Sequence, residues 1–370
     1  MFFEIVHQSK KSRARVGRIH TAHGIIETPN FVPVATNAAI KGVDSTIIKP
    51  LDVQLMFCNT YHLILHPGSS TVAKAGGLHQ FMNRQQPIIT DSGGFQVFSL
   101  AYGGVANEIK SRGMKKQEGA ILSITEEGAT FRSYRDGSRI LLTPESSVQA
   151  QKELGADIII PLDELPPYHQ EKKHILRSFE RTHRWEERSL KTHKQDPMHQ
   201  YMYGVVHGGV DPILRKKSCD RLSALGFDGL AIGGSLGKDR EELANISTTT
   251  ARFIDPAFPI HLLGVGDLES IERCIPAGID TFDSSYPTKC ARHGILLSHN
   301  GPINITRSTW KNVHEPVSTV QPTASYSAAY LHHLFKAHEP IAHTLASIHN
   351  IAFMVQTMKT IREKILNNEI

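Results

Sequence analysis

The chain lacks any long apolar run. The stretch 157–162 is typical, ending after a few residues, and nothing approaches the roughly 20 consecutive apolar residues that span a bilayer. The basic residues Lys10, Lys11 and Arg13 near the start are followed by no apolar segment, which argues against a secretory leader and makes the cytosol the expected compartment. Cysteine is scarce: Cys58, Cys219, Cys274 and Cys290 are scattered, with no CxxC spacing. That excludes a disulfide framework and a cysteine-built metal site. No repeat, low-complexity tract or glycine-rich phosphate fingerprint is present, so a nucleotide cofactor is not expected. Charge of one sign is only mildly in excess: net +5, with a pI near 8.9, a weak lean towards a polyanionic partner. The 21 histidines are dispersed.

What is present is a chain of 370 residues, 40% hydrophobic and 21% charged, enough for one large barrel or two ordinary domains around a packed core. The first forty or so residues read as strands: 15–20 and 24–27 flank a turn, and Pro29 and Pro33 punctuate the stretch after Glu27. From Val53 onward, short apolar runs end in a polar residue or glycine and lead into helix-like segments. These runs are 53–58 before Asn59, 87–90 before Asp91, 157–162 before Asp163, and 201–206 before His207. They continue with 229–232 before Gly233, 261–263 before Gly264, and 281–282 before Asp283. Strands alternating with helices imply a parallel sheet, and about seven such units over about 240 residues suit an α/β (β/α)8 barrel. A doubly wound sheet has the same spacing. The segments 120–124, 130–134 and 139–142 alternate like strands around Glu127-Gly128 and Asp136-Gly137, predicting an antiparallel insertion on the barrel rim. After Thr306 the pattern turns helical, over 324–337, 340–347 and 351–366. The expected divisions of this single domain are an N-terminal sheet (1–45), a barrel (46–305) and a helical C-terminal subdomain (306–370).

Three aspartates end strands, where a barrel places its chemistry. Asp91 stands before Ser92-Gly93-Gly94-Phe95, at the mouth of a pocket; capping the next helix is an equally good reading. Asp283 precedes Lys289, Arg292 and His293. A carboxylate nucleophile beside cations suits an anionic polymer, the cations holding phosphates while the carboxylate attacks a sugar carbon. A strand-end cap beside a solvated basic loop is the blander alternative. Asp163, in Leu162-Asp163-Glu164, can accept two N–H bonds from a guanine-like edge, or be a plain loop residue.

Several motifs keep a common order: Asn59-Thr60-Tyr61-His62-Leu63, Pro67-Gly68, the run 90–97, Leu162-Asp163-Glu164, Gly208-Gly209 and Ala231-Ile232-Gly233-Gly234. Next come Leu263-Gly264-Val265-Gly266, Phe282-Asp283, Gly301-Pro302-Ile303-Asn304-Ile305 and Tyr330-Leu331-His332-His333-Leu334. From about residue 3 to the C-terminus the chain resembles the tRNA-guanine transglycosylase family, in its queuosine branch. The resemblance implies a (β/α)8 barrel with an N-terminal sheet and a helical C-terminal subdomain, usually a homodimer. It also implies exchange of the wobble guanine of tRNAs with GUN anticodons (for Asp, Asn, His and Tyr) for a free 7-deazaguanine base. Asp283 matches the nucleophile that attacks C1′ to give a covalent enzyme–RNA intermediate, and Asp91 the general acid/base. Asp163 matches the base-recognition aspartate, with Ser92, Phe95, His207, Gly233, Gly234 and Leu263 lining the same pocket. Lys289 and Arg292 match residues that contact the anticodon loop.

The chain departs from the family in places. The three cysteines that usually hold zinc are matched by Ser318, Val320 and Thr323, and only the histidine persists, as His349. No zinc is therefore expected, with apolar packing holding the subdomain instead. Adjacent His332 and His333 face different sides of a helix and are not expected to chelate together. His207 stands where glutamine is usual, with one ring N–H to offer a carbonyl; Leu165 replaces a cysteine, and Gly237 a valine. The smaller residue at 237 suggests queuine, rather than its aminomethyl precursor, as the incoming base. A catalytically inactive RNA-binding partner subunit is the competing function, opposed by retention of both Asp91 and Asp283. The archaeosine branch usually carries further C-terminal RNA-binding domains.

Overall fold

The computed structural model describes residues 1–96, 98, 121–166 and 171–370; Val97 and Ala120, which end two of the sequence segments named in the preceding subsection, lie outside the described residues. Eight parallel strands form one sheet: β4 (Asn30–Pro33), β5 (Met56–Cys58), β6 (Ile88–Thr90), β10 (Ile158–Ile159), β11 (Tyr201–Val206), β12 (Gly229–Ile232), β13 (Ile260–Leu262) and β14 (Thr281–Ser284). Their order, β4-β14-β13-β12-β11-β10-β6-β5, is closed by a parallel bridge between Val34 and Phe57, where Ala35 N–H donates to Phe57 O at 2.7 Å. The sheet is thus a barrel, and the doubly wound alternative falls away.

Alternation along the strands builds two cores. Val32, Phe57, Ile89, Ile158, Tyr203, Val205 and Ala231 face inward. Phe31, Met56, Cys58, Ile88, Ile159, Met202, Leu230, Ile260 and Phe282 face the surrounding helices. Those helices start on strong local signals. Asp211, Asp239 and Asp267 cap Pro212–Leu225, Arg240–Phe253 and Leu268–Cys274, and Thr143 forms a capping box on Pro144–Leu154.

The first barrel strand, β4, comes from the stretch assigned by the sequence pattern to the N-terminal sheet. It is only four residues long and ends in Pro33, so it lacks the apolar-run signature of its neighbours. Its pairing with β14, Phe31 opposite Phe282 and Val32 opposite Asp283, gives it its place. The N-terminal sheet proper, β1 (Phe3–Gln8), β2 (Arg15–Thr21) and β3 (Gly24–Thr28), is antiparallel and feeds Phe3, Ile19 and Ile26 into the inward-facing core. It is fastened to the N-terminal end of the barrel by buried Arg15, which contacts both oxygens of Asp280 at 3.0 and 2.5 Å. At the same end, buried Asp157 accepts from Ile88 N–H (2.9 Å) and His23 Nδ1 (2.8 Å). His79 Nε2 lies 3.3 Å from it. The rings of His23 and His79 are stacked 3.5 Å apart, and parallel rings do not converge on a single ion.

The rim insertion is an antiparallel meander of β7 (Ile121–Ile124), β8 (Ala129–Arg132) and β9 (Arg139–Leu142). It packs through Ala129, Phe131 and Leu142 onto Tyr61 and Trp185. In the C-terminal part, the two helical segments expected after residue 340 are one helix, Pro340–Leu366. The polar pair at its middle, which interrupts the apolar pattern, is buried and bonded: Asn350 accepts from Leu297 N–H (2.8 Å) and donates to Pro287 O and Ile295 O (both 2.9 Å). This helix lies against β2 and β4, and Arg362 donates to Pro29 O at 2.8 Å.

Candidate active site at the C-terminal rim of the barrel

Asp91 comes directly after β6 and is 8% exposed. Its Oδ1 accepts from Thr60 N–H (2.7 Å), the first amide of the helix Thr60–Leu65, and its Oδ2 from the Asn59 side-chain amide (2.7 Å). The carboxylate thus serves the first amide of the helix Thr60–Leu65, and Gly93 N–H and the Gln96 side chain, from the segment that follows it, also bond to it. Burial raises the Asp91 pKa and these hydrogen bonds oppose it; burial prevails, at about 6. The loop is braced from behind: Ser147 donates to Ser92 O (2.7 Å), and Gln151 ties Thr90 Oγ1 (2.9 Å) to both backbone groups of Ile160 (3.0 and 2.8 Å). Gly94 serves packing: a Cβ there would come within 2.8 Å of Asp163 O. Phe95 is 44% exposed beside this loop.

Asp163, after β10, stands between Ser92 Oγ (3.4 Å to Oδ1) and His207 Nε2 (2.9 Å to Oδ2). His207 thus directs its Nε2 at the aspartate. It is buried, and its backbone N–H donates to Ser218 Oγ (3.0 Å). Ser218 in turn donates to Nε2 of His183 (2.9 Å), whose Nδ1–H donates to Phe179 O (2.7 Å). That tautomer requires a neutral ring, and burial lowers the His183 pKa to about 4. Beside it, buried Glu186 accepts from Val205 N–H at 2.8 Å. Burial foremost, and also the negative charge of Asp163, push its pKa well up, against the Val205 hydrogen bond.

The loops after β11 and β12 are joined by one buried cation. The Arg215 guanidinium donates to Gly209 O (2.8 Å), Val206 O (2.8 Å), Gly233 O (2.8 Å) and Ser235 O (3.0 Å). Burial lowers its pKa to about 10. Gly234, at φ +77°, would bring a Cβ to 3.2 Å from His207 Nδ1, and Gly233 would meet Val205 and Leu263. A cavity of about 170 Å³ opens here, lined by Pro166, Phe179, His207, Gly208, Gly234 and Ser235. Gly237 is not among its lining residues; a side chain there would point at Glu242.

Asp283, on β14, is 6% exposed. Its Oδ1 accepts from Gly264 N–H (2.8 Å) and from His261 Nε2 (3.1 Å). A continuous arc along the C-terminal rim thus runs from Asp91 and Ser92 through Asp163, His207, Gly233, Gly234 and Leu263 to Asp283. Lys289 and Arg292 lie on the next helix, Tyr286–Arg292, the lysine exposed and the arginine half-buried with a bond to Thr288 O (3.0 Å). The sequence pattern assigns no role to Asn59, Thr60, Gln151, Arg215 or His261. The one available signal for Arg215 is a cation within the buried stripe of Leu214, Ser218, Cys219 and Leu222.

The four positions matching the family's zinc ligands do not fit that metal. The Thr323 hydroxyl bridges Val320 O (2.8 Å) and His349 Nδ1 (2.6 Å), His349 Nε2 faces Leu297 O (3.0 Å), and Ser318 Oγ accepts from Val320 N–H (3.0 Å). No thiolate is offered, and the imidazole is engaged on both sides. The subdomain is packed instead by Leu296, Ile305, Leu331, Leu334, Leu345 and their neighbours. His332 is buried, its Nδ1 bonded to Ile305 O (2.9 Å), while His333 is exposed.

A barrel with three carboxylates and a small cavity on one rim is an enzyme's arrangement, and comparison with known proteins identifies which. The sequence model of the family described as queuine tRNA-ribosyltransferase matches residues 9–370. A queuine tRNA-ribosyltransferase of Protochlamydia amoebophila is 59% identical over 366 residues, 98% of this chain and 95% of that protein. Proteins of the same description from Chlamydia caviae and Chlamydia trachomatis serovar L2 are 58% and 54% identical, each over 100% of this chain and 99% of their own length. This chain, a tRNA-modifying transferase, belongs to the queuine tRNA-ribosyltransferase family.

Proposed function

We propose that this enzyme exchanges the wobble guanine of GUN-anticodon tRNAs for a free 7-deazaguanine base through a covalent enzyme–RNA intermediate. The observation that carries this is the pair of rim carboxylates in contrasting settings: Asp283 with one oxygen doubly bonded, and Asp91 buried with its pKa near 6. Asp283 attacks C1′ of the ribose, the bond from C1′ to the guanine nitrogen breaks, and guanine departs with the electron pair and a proton from Asp91. The incoming base then yields a proton to Asp91 and attacks C1′, and the carboxylate is released. Two displacements retain configuration, as in retaining glycosidases. An acid/base with a pKa near neutrality serves both halves. The base leaves the anticodon stack to enter the arc between Ser92 and Leu263, where Asp163, held by Ser92 and His207, accepts its N–H groups. Lys289 and Arg292 contact the anticodon-loop phosphates.

Queuine is the proposed incoming base, supported by the 170 Å³ cavity beside His207 and Gly234, which offers room for a larger 7-substituent. The active enzyme is a homodimer without zinc. Incubation with tRNA and labelled guanine should give exchange and a denaturant-stable RNA adduct. Asp283→Ala should abolish both, and Asp91→Asn should abolish turnover with tRNA binding largely intact. An adduct formed by Asp283→Ala would overturn the nucleophile assignment. Competition between queuine and its aminomethyl precursor decides the base, preference for the precursor refuting the proposal. Elemental analysis and sedimentation of the purified protein test the metal and the dimer.

A further inference from the structure

The interior of the barrel is apolar on most strands, with Val32, Phe57, Ile89, Ile158, Val205 and Ala231 turned inward. Against that lining, β13 and β14 place a polar column. His261 is fully buried and pairs in register with Thr281 on the adjacent strand. Its Nδ1 lies 2.8 Å from Thr281 Oγ1 and its Nε2 3.1 Å from Asp283 Oδ1. Thr281 and Asp283 are two residues apart on one strand and so share its inner face. The imidazole spans them, lying nearly parallel to the Phe57 ring at 6.1 Å.

A buried histidine in such a lining is unfavourable unless both ring nitrogens are satisfied. Here they are, and the carboxylate partner fixes one proton. A carboxylate can only accept, so Nε2 carries the hydrogen toward Asp283, while Nδ1 shares a hydrogen bond with the Thr281 hydroxyl. Oδ1 of Asp283 therefore receives two donors, His261 Nε2–H and Gly264 N–H (2.8 Å). No described residue donates to Oδ2. An oxygen holding two hydrogen bonds is a poorer nucleophile than its free twin, so the pairing selects which oxygen reacts and fixes the plane of the carboxylate.

We propose that His261 is a positioning residue for the transfer reaction: with Gly264 N–H it clamps Oδ1 of Asp283 and presents Oδ2 to the ribose carbon. This rests on Asp283 being the nucleophile. Burying the column inside the barrel, beneath the rim where RNA docks, keeps the clamp out of contact with substrate, so its loss changes the chemical step and not binding.

Two substitutions separate positioning from packing. The amide nitrogen of His261→Gln reaches the place of Nε2 and keeps the bond to Asp283. That of His261→Asn reaches only the place of Nδ1, beside Thr281, and leaves Oδ1 with Gly264 alone. Each is compared with the unaltered enzyme in single-turnover adduct formation, kcat, KM for tRNA and thermal stability. His261→Gln should stay within about threefold of the parent. His261→Asn should lower kcat and the adduct rate by about ten- to hundredfold, as expected for loss of a hydrogen bond to a charged group, with KM for tRNA unchanged. Equal losses in both variants that track thermal stability, or a parental adduct rate in His261→Asn, would overturn the proposal. An Asp283→Asn control that still forms adduct would overturn the nucleophile assignment itself, an outcome distinguishable from failure of the clamp alone.

Discussion

At Asp91 two forces oppose each other, and the balance is measurable. Burial disfavours its charge, while Asn59 and Thr60 N–H favour it, and the pKa settles near 6. Removing the Asn59 amide removes a bond that favours the anion. Asn59→Ala should therefore shift the Asp91-dependent limb of the pH–rate profile to higher pH, by up to about one unit. The same shift has a consequence for stability. An aspartate whose folded pKa is raised from 3.8 to about 6 binds more protons when folded than when unfolded between those values. The fold accordingly loses stability as pH rises from about 4 to above 6. Asp91→Asn escapes that loss. At pH 7 it should be more stable than the parent by up to about 3 kcal/mol, and the difference should vanish below about pH 4. Urea unfolding at pH 3.5 and 7 measures both ends. The catalytic assignment of Asp91 predicts that this more stable variant is also the inactive one.

At the scale of elements, the site is held by side chains reaching between them. Arg215 joins the loops after β11 and β12 through four backbone carbonyls. Arg215→Met keeps much of the volume but leaves those buried acceptors without a donor. The expected loss is about 2–4 kcal/mol in unfolding free energy, with a raised KM for the free base and little change in tRNA affinity. Such bridges are also what the sequence hides. Strand ends at 59, 91, 207 and 233 were legible because each closes an apolar run with a polar residue or glycine, and the meander because its turns are marked; β10 stops at Ile159, short of Asp163, β13 at Leu262, and β14 runs through Asp283 to Ser284. The strand β4 was not legible, since a four-residue strand that follows Pro29 and ends in Pro33 carries no periodicity and its place comes from pairing with a strand some 250 residues later. The helix Pro340–Leu366 read as two because His349 and Asn350 break its apolar pattern, while their partners lie far off in sequence: Thr323 26 residues away, and Leu297, Pro287 and Ile295 more than fifty. The rim aspartates were legible as candidates, but what holds them was not. His261 looks like any residue of an apolar run until its register with Thr281 is known. The bond from His207 to Asp163, a partner from another strand, had no sequence signal either.

For the whole molecule, acid should act at the end of the barrel opposite the site, through Asp157. Burial by itself would raise the pKa of Asp157, but hydrogen bonds from His79, Ile88 N–H and His23 override it and take it down to about 2. A lowered folded pKa contributes stability that is present above about pH 4 and lost as pH falls through 2. Between pH 5 and pH 2 the parent should lose about 2 kcal/mol more than Asp157→Asn, read from denaturant midpoints. The closure of the ring has a further implication, for biosynthesis. Strand β4 is translated some 300 residues before the helix that covers it, Pro340–Leu366. Until then β4 has an uncovered flank, and until β14 arrives it lacks one of its two neighbours. Contacts of such long sequence separation form late. The nascent barrel must therefore wait, open along one seam, until that helix emerges, and a ribosome stalled before residue 340 should carry a chain that proteases cut readily at strands β1 to β4.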